Sequence, residues 1–163
     1  MTKIRVPQRY LPKTLSRRDK EIQARMLRKS RRLYKQGKYY TRKQLPSFHS
    51  KPSGHVANAR KMYKMDKIAP SGQLAKATGC SVAALRKIVN KGEGAYFSSG
   101  SRPNQTAQSW GIARLASAIT GGKAAAVDFK IIEEGCSHSG RAFRLANKSR
   151  KNKRRGAIRT VLN

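Results

Sequence analysis

Acidic residues are what this chain lacks most: 7 Asp plus Glu stand against 38 Lys plus Arg, a formal net charge of +31 over 163 residues. A free globular domain gains no stability from such a field, because self-repulsion opposes compaction. The charge therefore implies an anionic partner: nucleic acid, a phospholipid surface or an acidic protein scaffold. The only cysteines are Cys80 and Cys136. Two do not make a disulfide framework, and the expectation is a pair of reduced, partly buried thiols in an intracellular protein. The histidines, His49, His55 and His138, do not stand at zinc-ligand spacing with a cysteine pair, so no metal and no other cofactor is expected. No stretch approaches the ~18 apolar residues of a membrane span. Thr2 to Tyr10 is basic but no apolar run follows, so no secretory leader is expected.

Catalysis also has little to work with. A Ser or Cys nucleophile needs a base beside it. Cys136 and His138 form the only close pair, and a two-residue spacing does not define a site. Glu133 and Glu134 are neighbours on an expected helix, so they do not face one another. No catalytic residue is expected.

What is present is unevenly spread. Residues 1–70 hold 21 basic and 3 acidic residues, 71–140 hold 8 and 4, and 141–163 hold 9 and none. The expected division is a basic N-terminal arm (1–55), a helical core (56–146) and a basic C-terminal tail (147–163). Pro7 and Pro12 keep the first residues extended. Ser16-Arg17-Arg18-Asp19 has the form of a capping box and predicts a helix from about 17 to 36, stopped by Gly37. Its apolar stripe is thin and its other faces are Arg and Lys. Residues 37–55 read as a surface-tracking linker and 56–65 as a short helix. Further helices are predicted over 73–78, 82–91, 106–120, 123–134 and from about 139 onward. Gly92 and Gly94 are expected to end the helix over 82–91, and Ala124, Val127 and Ile131, with Phe129 or Ile132 as further candidates, to point inward. No strand is expected.

Two segments could carry binding. Leu74 to Ile88 resembles a helix-turn-helix: Ala75 is small enough for close helix approach and Gly79 suits a turn. Its second helix would present Ser81, Val82, Ala83 and Ala84 early, and none of these makes the bidentate contacts that discriminate bases. Arg86 and Lys87 remain for phosphate, so a structural tri-helical unit is the stronger reading. The loop Gly94 to Thr106 is rich in small hydroxyl residues and precedes a helix start. It either wraps the core, with Tyr96 and Phe97 inward, or offers amides and Arg102 to an anion. The candidate anion or partner contacts are Arg17, Arg18, Arg25, Arg28, Arg31, Arg32, Arg86, Lys87, Arg102, Arg150, Arg154 and Arg155.

The order of landmarks adds a resemblance. Arg9-Tyr10-Leu11-Pro12 with the basic Ser16 to Tyr40 helix, Ala75 to Ile88, Tyr96 to Thr106, and Ser109 to Ser117 resemble a family of small basic proteins of large double-stranded DNA viruses, phycodnaviruses and mimivirus-like viruses among them. The resemblance spans about residues 9–145 and is most specific from Tyr96 to Asp128. It implies a virion context and carries over no catalytic residue.

The expected fold is mainly α: a small multi-helix core with a helix-turn-helix-like pair and extended basic arms at both ends. The leading functional expectation is a minor capsid protein on the inner face of a large icosahedral capsid. Its arms would lie along the major capsid protein, other minor capsid proteins and an underlying membrane surface. The alternative is a protein that binds or condenses genomic DNA without reading its sequence.

Overall fold

Ser16 turns the extended N-terminal segment into a helix by accepting the amide of Asp19 (3.1 Å). From there, a computed structural model describes residues 4–151 and 158–162 as a mainly α protein. The helices are α1 (Arg17–Lys35), α2 (Gly54–Tyr63), α3 (Gly72–Thr78), α4 (Val82–Ser98), α5 (Ala107–Ile119), α6 (Lys123–Val127), α7 (Phe129–Gly135) and α8 (Arg141–Lys151). Among the described residues, none is long and apolar enough to cross a membrane.

One element was not expected. Ile4–Pro7 (β1) pairs antiparallel with Arg159–Leu162 (β2), Ile4 opposite Leu162 and Pro7 opposite Arg159. Each strand has four residues and its partner lies at the other end of the chain, so no local pattern announces the pairing. The expected division into arm, core and tail gives way accordingly. The chain forms two compact units, the first from the described residues of 1–51, 93–110 and 155–163, the second from those of 52–92 and 111–154.

The first unit has its own apolar core. Val6, Tyr10, Leu11, Ala24, Leu27 and Leu162 form one cluster, and Leu15, Met26 and Leu45 another. The segment after α1 is not a passive linker. Leu45 is buried, and Asn104 closes on it by accepting from its amide (2.7 Å) while donating to the carbonyls of Leu45 and Phe48. The capping box at Ser16 is extended by a residue far along the chain. Ser47 donates its hydroxyl (2.6 Å) and its amide (2.9 Å) to the Asp19 carboxylate and accepts the Ser16 amide. Those bonds hold the Asp19 carboxyl below its ordinary pKa.

The second unit packs Leu74, Leu85, Ile88, Leu115, Ile119 and Ile132 into one core. The predicted helix-turn-helix is there: α3 and α4 flank Gly79, whose φ of +82° is a conformation that side chains resist. Three expectations need correction. Gly92 and Gly94 lie inside α4, which continues to Ser98. The helix expected over 123–134 is broken at Asp128, whose buried carboxylate takes a bidentate pair from Arg114 (2.7 Å twice). That break turns Val127 outward, 68% exposed, while Phe129 and Ile132 carry the packing and Ile131 is half-buried. Third, Cys80 and Cys136 form a disulfide between the α3–α4 turn and the end of α7, rather than two free thiols. The turn segments run antiparallel there, with the Ser81 amide on the Gly135 carbonyl and the Ser137 amide on the Gly79 carbonyl. The Cys136 sulfur is thereby engaged, and His138 stacks on Phe143 instead of facing a thiol.

Candidate functional site

The longest single helix sets out the largest ordered group of cations in the first unit. At 1.5 Å per residue, the 19 residues of α1 extend for about 28 Å. Gln23, Ala24, Met26, Leu27 and Ser30 are buried. On the opposite side Arg17, Arg18, Arg25, Arg28, Lys29, Arg32 and Lys35 are exposed, with Glu21 the only exposed acid of the helix. Helical spacing of 100° per residue puts all of these within one arc of about 120°. Arg17 is offset by Glu21 (3.6 Å) one turn on. Beyond Glu21 like charges repeat at i,i+3 and i,i+4, and each such pair opposes the helix by about 0.2–0.5 kcal/mol. The face therefore carries repulsion on the order of 2 kcal/mol, which a bound polyanion relieves.

Thus Arg17, Arg18, Arg25, Arg28 and Arg32 of the expected set share one surface. Arg28 also ties down β2 by donating to the Leu162 carbonyl (2.8 Å). Arg31 stands at the edge, half-buried, with Nε and Nη2 both on the Ser99 carbonyl (3.2 and 2.8 Å). Burial pulls its pKa down. Arg102 is exposed in the first unit. Its neighbouring helix start is closed internally: Thr106 Oγ1 accepts the Ser109 amide, and Ser109 Oγ accepts the Thr106 amide. Of the two readings of this segment, the anion site would have to compete with the chain's own hydroxyls at that terminus, and residues 94–98 are helical rather than loop. Arg86 and Lys87 are exposed on α4 in the second unit, and Arg150 on α8 lies over the Phe129 ring (4.3 Å). Arg154 and Arg155 lie outside the described residues.

The helix-turn-helix geometry is used for packing. Ala84 is buried, and a Cβ built on Gly135 would stand 2.4 Å from its methyl carbon, so α7 ends against the start of α4. Ser81 spends its hydroxyl on capping the Ala84 amide (3.1 Å). The positions a recognition helix would present to base edges are small, capped or covered.

Three features were not singled out in the sequence. Lys29 and Lys35 join the α1 face, and helical projection alone would have found them. Arg42 is buried, with Nη1 on the Tyr96 carbonyl (2.8 Å) and Ser30 Oγ (2.9 Å), Nη2 on Ser101 Oγ (2.8 Å), and its guanidinium 3.8 Å from the Tyr96 ring centre. Its amide also donates to the Tyr96 hydroxyl (2.9 Å). Burial draws its pKa down and the Tyr96 phenol opposes this. An arginine starts so high that it stays cationic at neutral pH. Third, Tyr34, Tyr39 and Phe97 meet at the surface, with ring centres 5.0 to 6.5 Å apart. Phe97 was expected inward; Tyr96 is buried, whereas Phe97 is only half-buried. No spacing rule links Phe97 to a helix end some sixty residues earlier.

Neither the curated proteins nor the solved structures contain a match to this chain. Residues 7–133, well over half of the chain and including α1, the Arg42 cluster and the aromatic group, match the model of a family of unknown function (DUF5824), and the chain belongs to that family.

Proposed function

We propose that this protein binds nucleic acid through its phosphate backbone without reading base sequence, and that the exposed face of α1 is the principal contact. The observation that carries this is the row of Arg18, Arg25, Arg28, Lys29, Arg32 and Lys35 over about 28 Å, with one exposed carboxylate among them. Guanidinium groups suit phosphate oxygens through paired donors. A strand of B-form DNA offers a phosphate about every 3.4 Å of axis, so the face spans about eight of them. In the second unit, taken by itself, the α3–α4 pair exposes Arg86 and Lys87 and offers no base-reading side chain, which supports a sequence-independent mode.

The test is titration of labelled duplexes of unrelated sequence over a range of salt. Affinity should be alike for all sequences and fall linearly on a log–log plot. Replacing Arg18, Arg25 and Arg32 together by Gln should reduce that slope by roughly 3, since each phosphate contact contributes about 0.9. An unchanged slope in a folded variant removes α1 from the interface.

A second reading places the chain as a minor component on the inner face of a capsid, where the same cations would meet acidic capsid protein or membrane headgroups. It is favoured by the pairing of Ile4–Pro7 with Arg159–Leu162, whereas a genome-condensing protein is expected to leave such segments disordered without DNA. Of the apolar residues in its expected N-terminal arm, Val6, Tyr10 and Leu11 are buried by the chain itself and Tyr39 remains exposed for a neighbour. Nuclease treatment of opened particles separates the readings: release with the digested genome supports nucleic-acid binding, and retention with the shell at moderate salt supports the capsid.

A further inference from the structure

The aromatic group at the C-terminal end of α1 needs a separate account. Tyr39 is 74% exposed and Tyr34 38%, the two largest aromatic exposures of the chain's described residues. Tyr34 lies nearly parallel to Phe97 (8°), and Tyr39 leans on Phe97 at 5.0 Å. The cluster is held from beneath. Ser30 donates to the Phe97 carbonyl (3.0 Å), Arg31 grips the Ser99 carbonyl, and Arg42 clamps Tyr96, whose ring meets Phe97 edge-on. Beside Tyr34 and Tyr39 in the chain stand Lys35 and Lys38, both exposed, and the cationic face of α1 leads up to them.

We propose, resting on the nucleic-acid reading, that Tyr39, Tyr34 and Phe97 form a stacking platform for unpaired bases, so that single-stranded nucleic acid is the preferred ligand. An exposed aromatic cluster with the exposed Lys35 and Lys38 beside its tyrosines in the chain is a poor seat for an ordinary apolar protein surface, which would have to desolvate those charges. A single strand matches both properties at once. Its phosphates follow the cations and its bases present flat π-faces that any sequence supplies. A duplex keeps its bases stacked on one another and gives the platform nothing to hold. Because fixed hydrogen bonds hold the backbone that carries Phe97, that ring needs little ordering on binding, which conserves affinity.

The experiment compares the full chain with Tyr39→Ala and with Tyr34→Ala/Tyr39→Ala. Each is titrated with a labelled oligonucleotide of about twenty nucleotides, its duplex, and an abasic strand of equal length. Loss of a stacked base should weaken single-strand binding about tenfold, within the usual range for such contacts. Duplex affinity and salt slope should stay unchanged. The abasic strand should bind the wild type at least as weakly as the intact strand binds Tyr34→Ala/Tyr39→Ala. Tyr39→Trp should retain single-strand binding and Tyr39→Leu should not, which separates stacking from apolar burial. Equal losses on single strand and duplex, or none, overturn the platform while leaving the α1 interface standing. Self-association of the wild type that Tyr39→Ala abolishes, with nucleic-acid binding untouched, makes the patch an interface between copies and also overturns it. Absence of salt-dependent binding to any of the three ligands overturns the nucleic-acid reading itself.

Discussion

Gly92 and Gly94 stand two residues apart in α4, and the same substitution should act on them with opposite signs. Replacing glycine by alanine inside a helix ordinarily stabilises by about 1 kcal/mol, because the unfolded chain loses freedom and the helix gains propensity. At Gly94 nothing opposes this: the new Cβ would meet only the Tyr34 hydroxyl, at an ordinary 3.7 Å. At Gly92 it would stand 2.6 Å from the Gly111 Cα and 3.2 Å from the Arg114 Cβ. Carbon atoms prefer ~3.5–4.0 Å, so two helix backbones must part by about 1 Å. Arg114 cannot swing aside without leaving Asp128, to which both its bonds are 2.7 Å. Overpacking of this kind costs about 1–3 kcal/mol. Net of the propensity gain of about 1 kcal/mol, Gly92→Ala should destabilise by up to about 2 kcal/mol. For a chain of this size that is a fall in Tm of up to roughly 6 °C, against a rise of roughly 3 °C for Gly94→Ala. Far-UV circular dichroism melts, repeated with denaturant, measure both. Equal rises at the two sites would refute the close crossing of α4 and α5, and a loss at both would return these glycines to a loop.

Three further outcomes follow from the same geometry. Asp128→Ala leaves the Arg114 guanidinium without its buried carboxylate and should cost about 3–5 kcal/mol in denaturant unfolding; a loss below 1 kcal/mol would show that Arg114 finds water instead. Reduction of the Cys80–Cys136 bond, which spans 56 residues, should lower stability by about 4 kcal/mol on the chain-entropy model, read as a reductant-dependent midpoint; thiol titration of the non-reduced, unfolded protein should find no free thiol. The Asp19 carboxyl is held below its ordinary pKa of about 3.9 by Ser47, so its contribution is complete above that value and is lost as pH falls through the depressed one. The stability gap between wild type and Asp19→Asn should therefore be constant from neutral pH to about 4 and close below it; a gap that widens in acid contradicts the sign.

Much of the local structure was legible because its causes are local. Ser16 with Asp19, Gly37, Gly79 with Ser81, and Gly121 mark helix ends by side-chain chemistry that acts within a turn, and the helices lie where those residues put them. The misreadings share a different cause. Gly92 reads as a helix terminator until Gly111 is known to lie against it, and Asp128 reads as an ordinary helix residue until Arg114 reaches it. Val6 and Leu11 read as an arm because β2 and Leu27 lie far away in the chain. Ser47 reads as a linker residue, whereas it completes the cap of α1. The cationic face of the site was legible from the periodicity of α1, and the aromatic part was not, because Phe97 reaches Tyr34 only through tertiary packing.

Arg42 connects that hidden part of the fold to function. Among the described residues it is the one buried Lys or Arg in a chain whose other cations crowd the surface. Burying a guanidinium costs several kcal/mol unless its donors are met, and here neutral oxygens of Ser30, Ser101 and Tyr96 meet them with no carboxylate in the cluster. An apolar side chain of similar volume would fill the same space at lower cost, so packing alone does not account for it. What an apolar residue cannot do is fix the Tyr96 carbonyl, ring and hydroxyl together, and with them the backbone that presents Phe97. The phenol of Tyr96 accepts the Arg42 amide, so the segment that carries Tyr39 and Tyr40 is clamped to the same point. A cation placed inside a cationic protein is unfavourable for folding and favourable for holding an aromatic surface in one geometry. That trade is expected where the surface must be ready before its ligand arrives.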